Sequence, residues 1–392
     1  MFLRLIRAVA PFLLFLAAAA PAQTDAPISP AELRRHIDAL ASDAFQGRGP
    51  ATEGERLTTA YIAEQFRSRG LEPAGEGGGW LQPVRLVERT TRSQRAAWSA
   101  GRRRLPFDAG EIELQGREAR ARVENAPVVF AGHGARIPER GVDQLAGADV
   151  RGAVVLILAD APEVADFPSY PERLRALAEA GAAAVIAISG PDLQWRYVAR
   201  VFRQTPPKLA EQTVPPILGT MPMAAAQRLI AAAGGDLERL LNDQPGSSFR
   251  AVTLPLRADL EVRTDVHAYT TNNVIGRIRG SGGGRESVLF LGHWDHLGIC
   301  RAEGADRICN GAVDNASGIA ALIEVAGRLA RPPRPVRDIL FLATTSEEVG
   351  LLGAEYFARH PPVPLRSIVA AVNLDTMAVA SAGHAVDYAG RG

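Results

Sequence analysis

Ser287-Val288-Leu289-Phe290-Leu291-Gly292-His293-Trp294-Asp295 opens the stretch that decides the fold, and Asn373-Leu374-Asp375 closes it. Three apolar runs occur within it, and each leads into residues of the kind that hold metals. Val288-Leu289-Phe290-Leu291 leads into His293 and Asp295. Ile339-Leu340-Phe341-Leu342 leads into Glu347-Glu348. Ile368-Val369-Ala370-Ala371-Val372 leads into Asp375. Short apolar runs without polar alternation read as strands buried on both faces. In open α/β sheets, sites collect beyond the carboxyl ends of such strands. Asp314 opens a fourth segment, which leads into a helix with apolar residues at Ile319, Leu322, Ile323, Ala326 and Leu329.

This residue set suits a two-metal hydrolase. Metals about 3.5–4 Å apart can activate one water and polarise a carbonyl. Such a pair needs a bridging carboxylate and terminal ligands for each metal. An imidazole with carboxylates favours zinc, and also cobalt or manganese. His293 supplies the nitrogen, and Asp314, at a helix start, is placed to bridge. Adjacent acids point in different directions, so Glu348 can bind metal while Glu347 stays free as a general base. Asp295 suits a carboxylate that orients the His293 ring. Singly, each feature has a plain alternative: a surface His-x-Asp, an Asp-Asn helix cap, a solvated Glu pair. Their joint placement at strand ends and a helix start argues against coincidence. His296 reads as a packing or hydrogen-bonding neighbour. His36, His267, His360 and His384 read as structural or exposed.

Working outward, Ser29-Pro30-Ala31-Glu32 is a helix start, with Ser as cap and Pro at the first position, and Leu33, Ile37 and Leu40 form its apolar stripe. A Gly-rich loop, Asp43 to Glu55, contains Gln46-Gly47-Arg48-Gly49. Leu57 to Phe66 reads as a second amphipathic helix, stopped at Gly70. From about Ala126 the pattern changes. Val128-Val129-Phe130, Val154-Val155-Leu156-Ile157 and Val185-Ile186-Ala187-Ile188 are strand-like, Arg173 to Ala180 and Ala224 to Ala233 helix-like. This forms a βα-type segment over residues 124–257, without a ligand cluster. His133, between glycines, reads as a turn residue.

The chain has 392 residues, enough for one large or two ordinary domains. A net charge of +1 excludes a strong field for nucleic acid or anionic membrane. Arg4 and Arg7, the apolar run Phe12 to Ala20 and Ala20-Pro21-Ala22 before Gln23 read as a processing signal over residues 1–22. The run falls short of the roughly 20 residues that span hydrocarbon. The expectation is export to the periplasm or medium, with no membrane association after signal removal. Cys300 and Cys309 lie in the loop between His293 and Asp314. A disulfide is the favoured reading, in keeping with export; two free thiols or metal ligation are the alternatives.

At this point the residues resemble a family, the co-catalytic di-zinc aminopeptidases. It includes bacterial secreted leucyl aminopeptidases, aminopeptidase Y and, more distantly, glutamate carboxypeptidase. Leu40-Ala41-Ser42-Asp43 with Gln46-Gly47-Arg48 resembles its opening, and Asn273-Val274-Ile275-Gly276 its lead-in strand. The four site motifs are Gly292 to Gly298, Asn310 to Gly318, Ser346 to Gly353 and Asn373-Leu374-Asp375. The resemblance implies an α/β fold, a mixed, mostly parallel sheet sandwiched by helices, with an inserted smaller protease-associated domain. The division would be 1–22 signal, 23–123 N-terminal peptidase part, 124–257 insert and 258–392 metal-site part.

The resemblance also assigns roles. His293 and Asp375 would bind the first zinc and Glu348 the second, with Asp314 bridging. Glu347 would be the base, taking a proton from the metal-bridging water, and Asp295 would support His293. Peptides would be the substrates. The family's second zinc takes a further His far downstream of Asn-Leu-Asp. His384 follows Asp375 too closely to match it. The sequence therefore reads as truncated, with an incomplete second zinc site and one tightly bound ion. Aminopeptidase action is the leading expectation. Alternatives are a carboxypeptidase or dipeptidase, a glutaminyl cyclase on the same fold, and a non-catalytic receptor-like homologue.

Overall fold

The computed structural model describes residues 28–162, 166–204, 206–242 and 249–377. The expected processing segment, residues 1–22, and His384 lie outside them. The three apolar runs do form strands: Ser287–His293, Asp338–Thr344 and Ile368–Asn373. The first pairs in parallel with each of the others, His293 opposite Thr344 and Leu291 opposite Asn373. This register brings three chain turns, each carrying a metal-type side chain, to one sheet edge.

Among the described residues these strands belong to a mixed sheet of thirteen. Its main path runs Ile368–Asn373, Ser287–His293, Asp338–Thr344, Val252–Ile278, Arg120–Phe130, Val154–Leu158, Ala184–Ser189, Ile217–Pro222, Glu113–Gly116. Each wing is parallel inside except at the edge strand Glu113–Gly116, which pairs antiparallel with Ile217–Pro222, and the wings meet antiparallel on Val252–Ile278. That 27-residue strand pairs with Arg120–Phe130 near its start and with Asp338–Thr344 at its end. Leu81–Ala100 follows it antiparallel from Arg257↔Ser99 to Val274↔Leu81. The expected edge at residues 257/258 thus falls inside one continuous strand.

Helices cover both wings. Helix Pro30–Leu40 starts where Pro30 permits, but the Ser29 side chain makes no capping bond. Helix Glu53–Ser68 begins ahead of the expected Leu57 because the Thr52 side chain accepts from the Gly54 N–H at 3.1 Å. With helix Gly318–Leu329 they bury Phe66, Trp294, Leu322 and Phe341 in one core. Burying each such side chain contributes about 1.5–3 kcal/mol. The other wing has separate cores, one around Phe130, Leu156, Ile186 and Leu260, another around Val155, Leu177 and Val185. Helix Tyr170–Glu179 packs in the latter, opened by a Ser169–Glu172 capping box. Among the described residues no helix is long and apolar enough to cross a membrane.

Candidate metal centre

His293 ends the central strand of its wing, with its side chain 3% exposed. Its Nε2 lies 3.0 Å from Asp314 Oδ1, 3.5 Å from Asp375 Oδ1 and 3.8 Å from Glu347 Oε2. Its Nδ1 is 3.1 Å from the Asp295 carbonyl oxygen and 3.7 Å from Asp295 Oδ1. That contact leaves Nε2 as the metal-facing nitrogen. The Asp295 carboxylate has further partners: it accepts the Glu347 N–H at 3.1 Å and the Glu348 N–H at 3.4 Å. Asp295 therefore ties the imidazole to the turn that carries both glutamates. Burial alone would depress the His293 imidazole, but Asp295, Glu347 and Asp375 outweigh it and hold it up at about 9. Glu347 is raised by burial first; His293 opposes, and Asp295, Asp375 and Glu348 add to the rise.

Two sets of donor atoms could each hold an ion: His293, Asp314, Asp375 and His296, Asp314, Glu348, the atoms of each set within 4.8 Å of one another. Asp314 is common to both. Its Oδ1 is buried and makes no hydrogen bond of good geometry among the described residues, its near neighbour being His293 Nε2 at 3.0 Å. A buried carboxylate oxygen is costly unless a cation meets it, here the His293 imidazolium or a metal in its place. The residues thus fit the expected metal chemistry, an imidazole and carboxylates around a shared oxygen donor. All six expected residues, Asp295, His293, Asp314, Glu347, Glu348 and Asp375, come together here.

The loops that deliver them are held by a residue given no role above. Arg48 is 1% exposed. Its guanidinium donates to the carbonyls of Trp294 (2.9 Å), Leu40 (2.7 Å), Asn310 (2.6 Å) and Gly311 (2.8 Å). Burial lowers its pKa to about 10, against attraction from Asp295, Asp314 and Glu348. Asn310 also donates to Ala41 O and Asp43 Oδ1, each at 2.8 Å. Asn315 donates to Leu374 O at 3.0 Å, fixing the Asp314 turn beside Asp375. Cys300 and Cys309 are bridged, closing the loop that follows His296. The signal for Arg48 was a lone Arg between glycines in a loop. Nothing local to it names partners some 250 residues away.

His296, read from the sequence as a packing or hydrogen-bonding neighbour, does hydrogen-bond: its Nδ1 meets Glu348 Oε1. The other histidines stay apart: His133 lies 3.8 Å from Asp160, His360 pairs with Glu211, and His267 is exposed. His36 is buried, bonded to Tyr61 and Glu324. It has carboxylates near it. There, however, Arg69 Nη2 stands 2.6 Å from Glu324 and 3.0 Å from His36, a cation already where a metal would go.

Residues 273–391 match the profile of peptidase family M28. Curated relatives match over a similar length. "Vacuolar membrane protease" of Candida dubliniensis is 32% identical over 96 residues, 24% of this chain and 9% of that protein. The protein of that name from Candida tropicalis is 31% identical over 96 residues, 24% of this chain and 10% of that protein. The match therefore spans about a tenth of these relatives' length. Among solved structures, an aminopeptidase from Aneurinibacillus sp. strain AM-1 aligns over 89% of this chain and 70% of its own, with 19% identity and TM-score 0.46. The expectation of a periplasmic or secreted protein is corrected by the curated relatives, whose shared name refers to a vacuolar membrane. The short apolar run could not distinguish an export signal from other N-terminal apolar segments, because only its length and flanks were available.

Proposed function

We propose, for a chain whose residues 273–391 match peptidase family M28, a zinc exopeptidase that removes residues from the amino end of peptides. The observation that carries the reading is the pair of three-donor groups sharing Asp314, whose buried Oδ1 makes no hydrogen bond of good geometry among the described residues, with Glu347 beside them. His293 and Asp375 would hold one zinc ion, Glu348 the other, and Asp314 both. Bound zinc would supply an activated water and polarisation of the scissile carbonyl. Glu347 takes the proton of the attacking water and passes it to the leaving amine. Its burial among acids raises its proton affinity, which suits a group that must hold the proton between the two transfers. Asp295 keeps Glu347 in reach by accepting its backbone N–H. Residues 124–257 are read as a protease-associated module joined to the site through the strand Val252–Ile278.

Assay of the protein on aminoacyl-anilides, with and without a chelator, tests this. Turnover that the chelator removes and zinc restores is expected. No chelator-sensitive turnover on any amide of a broad panel would contradict it and favour a binding protein.

A further inference from the structure

We propose that Glu55 is a positioning residue for the reaction, acting on the base Glu347 through a one-way chain of hydroxyls that runs from Ser346 to Thr345 to Thr271. This rests on the reading of Glu347 above. Glu55 lies in the first turn of helix Glu53–Ser68 and is 5% exposed. Among the described residues its carboxylate meets three donors and no cation. Oε2 accepts the Ala51 N–H at 2.5 Å and the Thr271 hydroxyl at 2.7 Å, and Oε1 accepts the Asn272 amide at 2.8 Å. A buried carboxylate is costly without such donors.

The direction of every bond in the chain follows from that carboxylate, which only accepts. Thr271 has one hydroxyl proton and gives it to Glu55. The 2.6 Å contact between Thr271 and Thr345 is then donated by Thr345, and the 3.2 Å contact between Thr345 and Ser346 by Ser346. All three hydroxyl residues have 0% exposure, out of reach of bulk water. The chain ends one residue before the base. Ser346 has φ 54°, in the left-handed region, where a non-glycine residue stays only if its surroundings hold it. Its carbonyl accepts the Leu352 N–H at 3.1 Å, and Thr345 is held by Asn273 Oδ1 and the Gly353 N–H, each at 3.0 Å. That bend leaves Glu347 Oε2 3.8 Å from His293 Nε2. A Glu55 that only capped its helix would need the Ala51 contact alone, so the two roles part at Thr271.

Three variants of the zinc-loaded full chain test this in the aminoacyl-anilide assay. Glu55→Gln puts an amide where three donors converge and breaks the direction of the chain. Thr271→Val keeps the shape and leaves Glu55 its contacts to Ala51 and Asn272. Ser346→Ala removes the first hydroxyl. In each, kcat should fall at least about 10-fold with KM within about twofold of wild type, and zinc content should stay at the wild-type level. The losses in Glu55→Gln and Thr271→Val should not add in the double variant, because both cut one chain. A second readout needs no turnover: in the metal-free protein, backbone amides from Thr345 to Glu348 should exchange faster in all three variants. A variant that fails to fold is identified by its urea midpoint, and the others carry the test. Loss confined to Glu55→Gln would make Glu55 a helix cap and overturn the inference. Unchanged turnover and exchange in all three, additive losses, or zinc lost in step with activity would overturn it as well, with the function reading intact. No chelator-sensitive turnover by wild type would overturn the function reading and this inference with it.

Discussion

At the scale of single residues, the site turns on protons and lone pairs. His293 keeps its proton up to about pH 9 in the metal-free protein, whereas a metal takes the neutral ring. The shift is upward, so metal must displace that proton at any pH below it. Zinc affinity should therefore rise as pH rises towards 9. Uptake near neutral pH should release about one proton from this side chain. Calorimetry in buffers of different ionisation enthalpy counts the protons, and affinity flat across that range would contradict the assignment of His293. Glu348→Gln should lower zinc content, because a neutral amide replaces one of the second position's carboxylates. Retention of full zinc by that variant would show that Glu348 is not a ligand.

Among elements, the loops are arranged by contacts that span the chain. Arg48 joins the first loop to both His293's neighbour Trp294 and the Asn310-Gly311 turn. Arg48→Met would leave four carbonyls without their donor and should destabilise by on the order of 3 kcal/mol or more, read as a lower urea midpoint. A midpoint unchanged from wild type would mean the loops hold without it. Gly311 has φ +60, and an added Cβ would meet Asp314 O at 2.4 Å and Arg48 Nη2 at 2.5 Å. Gly311→Ala should therefore displace Asp314 and lower zinc content. The strands leading to His293, Glu347 and Asp375 were readable because buried parallel strands are plain apolar runs. The disulfide followed from two cysteines in one loop. Arg48 was not readable as a site residue, since its meaning lies in which distant carbonyls it meets, whereas His296 was read as a hydrogen-bonding neighbour and does bond Glu348.

For the whole molecule, the sequence undervalued two strands. Val252–Ile278 and Leu81–Ala100 carry many Arg, Thr and Glu side chains, and only the end of the first, Asn273 to Gly276, was read as strand. Their alternation, with Leu254, Leu256, Ala258, Leu260 and Val262 buried in turn, is the period-two signal of a strand with one wet face. Because they pair through both wings, heat should unfold the wings together: loss of β signal and release of bound zinc should coincide. Two separated transitions would show the wings to be independent. The central claim, a metal-dependent peptidase whose base is distinct from its ligands, is tested most directly by measuring turnover and zinc together in Glu347→Gln. The account predicts turnover at least about 100-fold lower with zinc content near wild type. Loss of zinc from that variant, or turnover close to wild type, would contradict it.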